Sequence, residues 1–268
     1  MKYAAELTHA REAARLASEY LRREYANFAA VADAPVTIST HADKGSQELI
    51  LGFLRDRYPE HALCAEESTP AFDAVPKSGP RAWVVDPIDG TRGFAKKTGQ
   101  FSVMIGLLID GAPVVGVVAE PAQNRYTFAA LGGGCWAHTD GAEPARCAVT
   151  SRGFADLVLA QSPAKTGMSP RPVRALAPAR VLETYSGGVK LAAVARGDAD
   201  VYANVYETFC DWDIAAGHLL VTEAGGTVTD LAGAPIAYQG PEFKQKRGLL
   251  ATNGPIHTEA LARLAAHQ

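Results

Sequence analysis

Apolar residues recur at three- and four-residue spacings from the start of the chain. Leu7, Ala10, Ala14, Ala17 and Leu21 fall on one face of residues 4–25, and that period predicts a long amphipathic helix. Leu49, Ile50, Phe53 and Leu54 repeat the pattern, predicting a second helix from residue 45 or 46 to 57 that ends before Pro59. The pattern then becomes extended. Residues 61–65 and 81–85 read as short strands, each ending in acid: Glu66 and Glu67 after the first, Asp86 after the second. Residues 101–109 and 112–119 flank Asp110-Gly111, whose residues accept the positive φ of a tight hairpin. Residues 126–130 and 134–137 add edge strands, so residues 1–147 read as an α+β half.

Residues 148–268 change style. Residues 174–185 read as a strand, 187–197 as a helix and 198–206 as a strand; a helix over 211–226, capped by Gly225 and Gly226, and a strand over 226–233 follow. This alternation predicts an α/β half, with residues 161–173 as a surface loop. Twenty-six Lys and Arg against 29 Asp and Glu give a net charge of -3, which offers no basic footprint for nucleic acid. A content of 47% hydrophobic and 21% charged residues excludes a disordered chain. The longest apolar run, residues 101–109, is too short to cross a bilayer, and the charged N-terminal segment reads as neither signal nor anchor. Cys64, Cys135, Cys147 and Cys210 form no CxxC pair and point to a reducing, cytoplasmic setting.

The run WVVDPIDGTRGF, residues 83–94, concentrates the chemistry. Pro87 pushes Asp86 toward extended geometry at the end of an apolar strand, and Asp89, Gly90 and Thr91 follow as a turn and helix start. Asp86, Asp89 and the Ile88 carbonyl make a hard-oxygen surface suited to Mg2+. The amides of Gly90 and Thr91 are placed to face a phosphate. The same letters also spell an ordinary turn. Glu66, Glu67 and Asp213 supply further acids, whose convergence the pattern alone leaves open.

Glu66-Glu67-Ser68, Asp86-Pro87-Ile88-Asp89-Gly90-Thr91, Trp212-Asp213-Ile214-Ala215-Ala216-Gly217 and Glu223-Ala224-Gly225-Gly226 occur in this order along the chain. Together they resemble the inositol monophosphatase superfamily of metal-dependent phosphatases. The resemblance implies a five-layer αβαβα sandwich with a cleft between its halves, and two or three Mg2+ ions per site. It implies Glu66, Asp86 and the Ile88 carbonyl as ligands of one ion, and Asp86, Asp89 and Asp213 as ligands of a second. It further implies attack by water oriented by Thr91, with Asp43 as the partner of that threonine in the nucleotidase branch and Glu66 sharing the role in the inositol branch. Displacement of the second Mg2+ by Li+ is implied as well. Asp43 also reads as a helix N-cap, a role compatible with catalysis. His41 departs from the apolar residue usual at its place and reads as a surface residue or one behind the ligands.

Asp43-Lys44-Gly45-Ser46-Gln47 and Asp89-Gly90-Thr91-Arg92-Gly93-Phe94 resemble the 3'(2'),5'-bisphosphate nucleotidase branch. That likeness implies conversion of 3'-phosphoadenosine 5'-phosphate to AMP and phosphate. Arg92 keeps histidinol phosphate open, and inositol phosphate is a further alternative, with Glu207 available to a sugar hydroxyl. Arg152, Lys190 and Arg247 are expected to grip a distal phosphate, with Ser186 and Gly187 close to the sugar; their competing reading is solvent-facing charge or helix capping. The expected partner is a phosphorylated small molecule, with a homodimer possible and neither nucleic acid nor membrane involved. A phosphate-ligand binding protein on the same fold is the non-enzyme alternative.

Overall fold

The computed structural model describes every residue except Met1, Val36, Thr166, Glu207, Thr208 and Gln268. Helix α1 (Ala4–Asn27) buries the stripe its period predicts, from Leu7 to Leu21. Helix α2 (His41–Arg57) starts four residues before the predicted point, because Thr40 caps it. The Thr40 side chain accepts from the Ala42 amide at 3.2 Å, and the Asp43 carboxylate accepts from the Thr40 amide at 2.8 Å. Its buried face runs through Asp43, Ser46, Gln47, Ile50, Leu51 and Leu54, leaving Leu49 43% exposed against expectation.

The first sheet takes its seven strands in chain order: β1 (Ala62–Ala65), β2 (Arg81–Asp89), β3 (Ser102–Ile109), β4 (Ala112–Glu120), β5 (Arg125–Ala130), β6 (Cys135–Thr139) and β7 (Ala145–Arg146). Only β1 and β2 pair in parallel. The predicted hairpin closes on Asp110 and Gly111, with φ of 48° and 75°. Strand β2 continues four residues past its predicted end, and its register shifts between Asp86 and Asp89. The motif read as a possible turn is therefore an interrupted strand end, followed by the short helix α3 (Thr91–Ala95).

The second half adds β8 (Val158–Gln161), α4 (Arg171–Leu176), β9 (Arg180–Glu183), α5 (Gly187–Arg196), β10 (Val201–Asn204), β11 (Phe209–Cys210), α6 (Ala215–Glu223), β12 (Thr227–Thr229), β13 (Lys244–Gln245), β14 (Leu249–Thr252) and α7 (His257–Ala265). The strand predicted over 174–185 is split: Ala177 adopts φ 45° and Pro178 follows, so α4 stops before β9 begins. Residues 171–173, predicted as loop, form the first turn of α4. The second sheet has the order β12-β14-β10-β8-β9, with β10, β8 and β9 parallel. A separate ribbon pairs β11 with β13.

Three apolar clusters define the layers. One joins α1 and α2 to the first sheet, the largest places α5 and α6 between the two sheets, and the third packs α4 and α7 on the second sheet. The outcome is the five-layer αβαβα sandwich. Cys64, Val84 and Met104 share the middle cluster with Leu191, Leu220 and Leu249, so one core spans residues on both sides of 147/148. Gly116 permits this closeness, since a Cβ there would stand 2.4 Å from the Ala216 carbonyl oxygen. The described chain exposes 11412 Å2, against about 11,000 Å2 expected for a folded monomer of this mass. No described helix is long and apolar enough to cross a membrane.

Candidate active site

Asp86, Asp89 and Asp213 each contribute a carboxylate oxygen, and the three oxygens lie within 4.8 Å of one another. The first two leave the end of β2, and the third comes from the 3-10 turn Asp211–Asp213 that precedes α6. Asp86 is almost wholly buried, and its Oδ1 accepts from the Ile88 amide at 3.0 Å. Asp89 is cradled by the start of α5: Oδ1 accepts from the Gly187 amide at 3.1 Å, and Oδ2 from the Gly188 amide at 2.6 Å. The hydroxyls of Ser102 and Ser186 also donate to Asp89. Asp213 accepts from the Cys210 amide.

Loss of water pushes the Asp86 carboxyl well above its ordinary range, and neighbouring Glu66, Asp89 and Asp213 push it further. The same cause, reinforced by Asp89 and Asp211 and opposed by the Cys210 amide and Lys190, raises Asp213 to about 7. Glu66 stands outside the three converging carboxylates in a residue that is exposed as a whole; partial loss of water at its carboxyl, and then the charges of Asp213 and Asp43, lift it to about 8. Gln47 clasps the segment carrying it, donating from Nε2 to the Glu67 carbonyl at 2.6 Å and accepting from the Glu67 amide at 2.9 Å. Facing hard oxygens and undercompensated buried negative charge are what Mg2+ selects, so this donor set fits the ion.

Beside the acids, Gly90 turns the chain with φ 84°, and a Cβ there would meet the Gln100 carbonyl oxygen at 2.9 Å and Ser186 Cα at 3.1 Å. Thr91 follows. Its Oγ1 lies 3.0 Å from Asp43 Oδ1 and 2.9 Å from the Ile88 carbonyl oxygen, and its single proton serves one acceptor at a time. Asp43 is the third residue of α2 and not its N-cap; Thr40 is the cap. One Asp43 oxygen is occupied by Thr40 and the other faces Thr91. Burial raises its pKa, while the hydrogen bonds from Thr40 and Thr91 oppose the rise. Ser46 donates to the Pro87 carbonyl at 3.0 Å, tying α2 to the acidic strand end.

The profile of the inositol monophosphatase family matches residues 3–268. This chain belongs to that family. A histidinol-phosphatase of Mycobacterium tuberculosis (strain ATCC 25618 / H37Rv) is 35% identical over 239 residues, 87% of this chain and 85% of its own length. The 3'(2'),5'-bisphosphate nucleotidase CysQ of Escherichia coli (strain K12) is 32% identical over 215 residues, 77% and 80% of the two chains. The structure of an inositol monophosphatase from Anabaena (Nostoc) sp. PCC 7120 aligns with a TM-score of 0.81 at 28% identity, covering 100% of this chain and 98% of that one. The protein is a metal-dependent phosphatase of the inositol monophosphatase family.

Several residues expected to touch substrate have other partners in this phosphatase. Ser186 and Gly187 hold Asp89 and do not stand free for a sugar, and Ser186 also caps α5 by accepting from the Val189 amide at 2.9 Å. Lys190 is 2% exposed; its Nζ donates to Ser162 Oγ at 2.9 Å and to the Tyr185 carbonyl at 3.3 Å, and sits 5.1 Å from the Tyr202 ring centre. Burial lowers its pKa to about 8, against the attraction of Asp89 and Asp213. It lies buried within the pull of the acids, with its hydrogen bonds directed to Ser162 and Tyr185. Arg152 is bound through Nε to both oxygens of Asp200 at 3.0 Å, and through Nη2 to the Gly197 carbonyl at 2.9 Å. That carbonyl lies past the far end of α5, roughly 15 Å from the end that holds Asp89 at 1.5 Å per residue. Arg247 pairs with Asp230 at 2.8 Å. His41 lies on the surface, with a ring nitrogen 2.6 Å from Glu24 Oε2. Glu207 lies outside the described residues. Sequence reasoning missed Ser102 and the Asp89-holding role of the Ser-Gly-Gly helix start; the small residues before an apolar helix were its signal.

Proposed function

We propose that this phosphatase hydrolyses 3'-phosphoadenosine 5'-phosphate at the Asp86, Asp89 and Asp213 cluster. The observation that carries the site is the convergence of those carboxylates beside the Thr91–Asp43 pair. Asp86, Asp89, Asp213, Glu66 and the Ile88 carbonyl would hold Mg2+. When bound, the ions supply Lewis acidity to phosphoryl oxygens and lower the pKa of water. Thr91 donates to Asp43 Oδ1 and leaves its oxygen lone pairs to accept from an attacking water, which aligns that water with phosphorus. A proton leaving the water passes along this pair toward Asp43, whose raised pKa suits it to receive one. The amides of Gly90 and Thr91 orient the phosphate. Ser102, Ser186 and Gly188 keep Asp89 in place as charge shifts during the reaction.

The nucleotidase reading rests on the DKGSQ and DGTRGF words and on the likeness to CysQ. A second reading, histidinol phosphate, is favoured by the partners that hold Arg152, Lys190 and Arg247, the three residues expected to grip a second phosphate. The likeness to the mycobacterial histidinol-phosphatase supports it too. Initial rates on 3'-phosphoadenosine 5'-phosphate, inositol 1-phosphate, fructose 1,6-bisphosphate and histidinol phosphate at one Mg2+ concentration decide between them. The largest kcat/KM is expected on the bisphosphorylated nucleoside; a larger value on histidinol phosphate transfers the assignment. LiCl titrated against matched NaCl tests the inhibition that the family resemblance implies.

A further inference from the structure

Beside α5, from Val189 to the Asp198 that follows the helix, four arginines line a cavity of about 500 Å3: Arg125 at the start of β5, Arg152 before β8, Arg180 at the start of β9 and Arg196 at the end of α5. Leu182, Val189 and Ala193 give it an apolar side. Three of the guanidinium groups are fixed by buried acids. Arg125 donates from Nε to Glu120 Oε1 at 2.8 Å and from Nη2 to Oε2; Arg196 donates from Nη1 to the same Glu120 at 2.9 Å and to Thr127 Oγ1 at 2.8 Å. Arg152 is fixed by Asp200. Glu120 and Asp200 are almost wholly buried, so their charge is spent on these arginines.

Anchoring leaves donors over. Nη1 of Arg125 and of Arg152 has no hydrogen-bond partner among the described residues, while Arg196, whose side chain is 9% exposed, keeps an unpartnered Nη2 that is closed to solvent and so adds charge behind the cavity wall, not a contact. Arg180 is exposed and makes no ion pair among the described residues. Asp198 also lines the cavity, and it is paired with Arg196 Nε at 2.9 Å. Arginines held by one edge, with nitrogens spare on another, form the planar fork that matches a tetrahedral oxyanion, and their order is set before any ligand arrives.

We propose that this cavity binds a phosphate dianion, free or as the phosphate of a small monoester, at a site separate from the catalytic carboxylates. The probe is inorganic phosphate, titrated calorimetrically into EDTA-treated protein at constant ionic strength, where the acids of the catalytic cluster repel anions. Saturable binding is expected, weakened at least roughly tenfold in Arg180→Ala and abolished in Arg180→Glu. Mg2+-dependent turnover of Arg180→Ala should equal that of the parent, which shows that the variant is folded. Glycerol 3-phosphate against glycerol then separates a monoester site, bound at least as tightly as inorganic phosphate, from one that takes the free ion alone. Absence of saturable binding by the parent overturns the proposal, as does equal binding by the parent and Arg180→Glu.

Discussion

Asp86 carries a charge that its surroundings oppose, so its removal should separate stability from activity. Asp86→Asn keeps the shape and deletes one of the mutually repelling carboxylates. Turnover should fall at least roughly 10²-fold, as for loss of one preorganised transition-state contact, while the metal-free variant melts no lower than the parent. Near-parental turnover would remove Asp86 from the ligand set. The same repulsion sets a pH dependence. Glu66 and Asp213 rise from ordinary values of 4.5 and 3.8 to about 8 and about 7. Acids raised on folding contribute stability that is present below their unfolded values and lost as pH rises through the folded ones. His218 has the opposite sign: burial lowers it from 6.5 to about 4, so its contribution is lost as pH falls through that range. Metal-free protein should therefore melt higher at about pH 6.5 than at about pH 8, because over that interval the two acids lose more than the unfolded His218, half-charged at its ordinary 6.5, gives back. Saturating Mg2+ should flatten the slope; a slope unchanged by Mg2+ would show that these carboxylates do not meet the ion.

The first turn of α2 and the start of α5 present the acidic strand end from opposite sides, and their substitutions should differ in kind. Asp43 both completes the Thr40 capping box and holds Thr91, so Asp43→Ala should cost about 1 kcal/mol of stability as well as activity. Thr91→Val should lose activity with little change in melting temperature. Comparable melting losses in both variants would deny Asp43 its capping contribution. Lys190 belongs to α5, whose residues from Gly188 to Ala195 are all buried because the helix lies between two sheets. A cation in such a helix has no solvent to face, and so its sequence position could not disclose its direction. Lys190→Met should lower kcat/KM by a similar factor on bisphosphorylated and monophosphorylated substrates; a selective loss on the bisphosphate would restore the distal-phosphate role. Legibility followed the range of the forces involved. The acids of DPIDG and WDIAAG could be read because a strand end and a helix start present them locally. The true start of α2 was missed because its cap, Thr40, precedes the apolar period. Strand β14 is not legible because three apolar residues and a threonine carry no period of their own, and the partners of Arg152 and Arg247 lie 48 and 17 residues away at Asp200 and Asp230.

At the scale of the whole molecule, the clustered acids lie where the first sheet meets the helical layer shared with the second. Asp86 and Asp89 end a strand of the first sheet, Asp213 precedes α6, and the Asp89 cradle belongs to α5. A cation held by this set would join elements of the first sheet to the middle layer, whose apolar cluster also includes the second sheet. The five-layer architecture could be named from the ordered motifs, since they carry a resemblance across the chain; the interlayer contacts could not, since they depend on sheet curvature and on close approaches such as that at Gly116. Coupling between ion binding and folding follows from the site's position. An ion that binds only the folded state at 100 times its dissociation constant adds about 2.7 kcal/mol, which for a chain of this size raises the melting temperature by roughly 5–10 °C. Mg2+ added to EDTA-treated protein should produce that shift, whereas Asp86→Asn should show a much smaller one because a ligand and its charge are gone. The measurement is thermal melting against Mg2+ concentration, with NaCl matching ionic strength. Equal shifts in parent and variant would locate the stabilising ion away from Asp86 and sever the link between the acidic cluster and the stability of the sandwich.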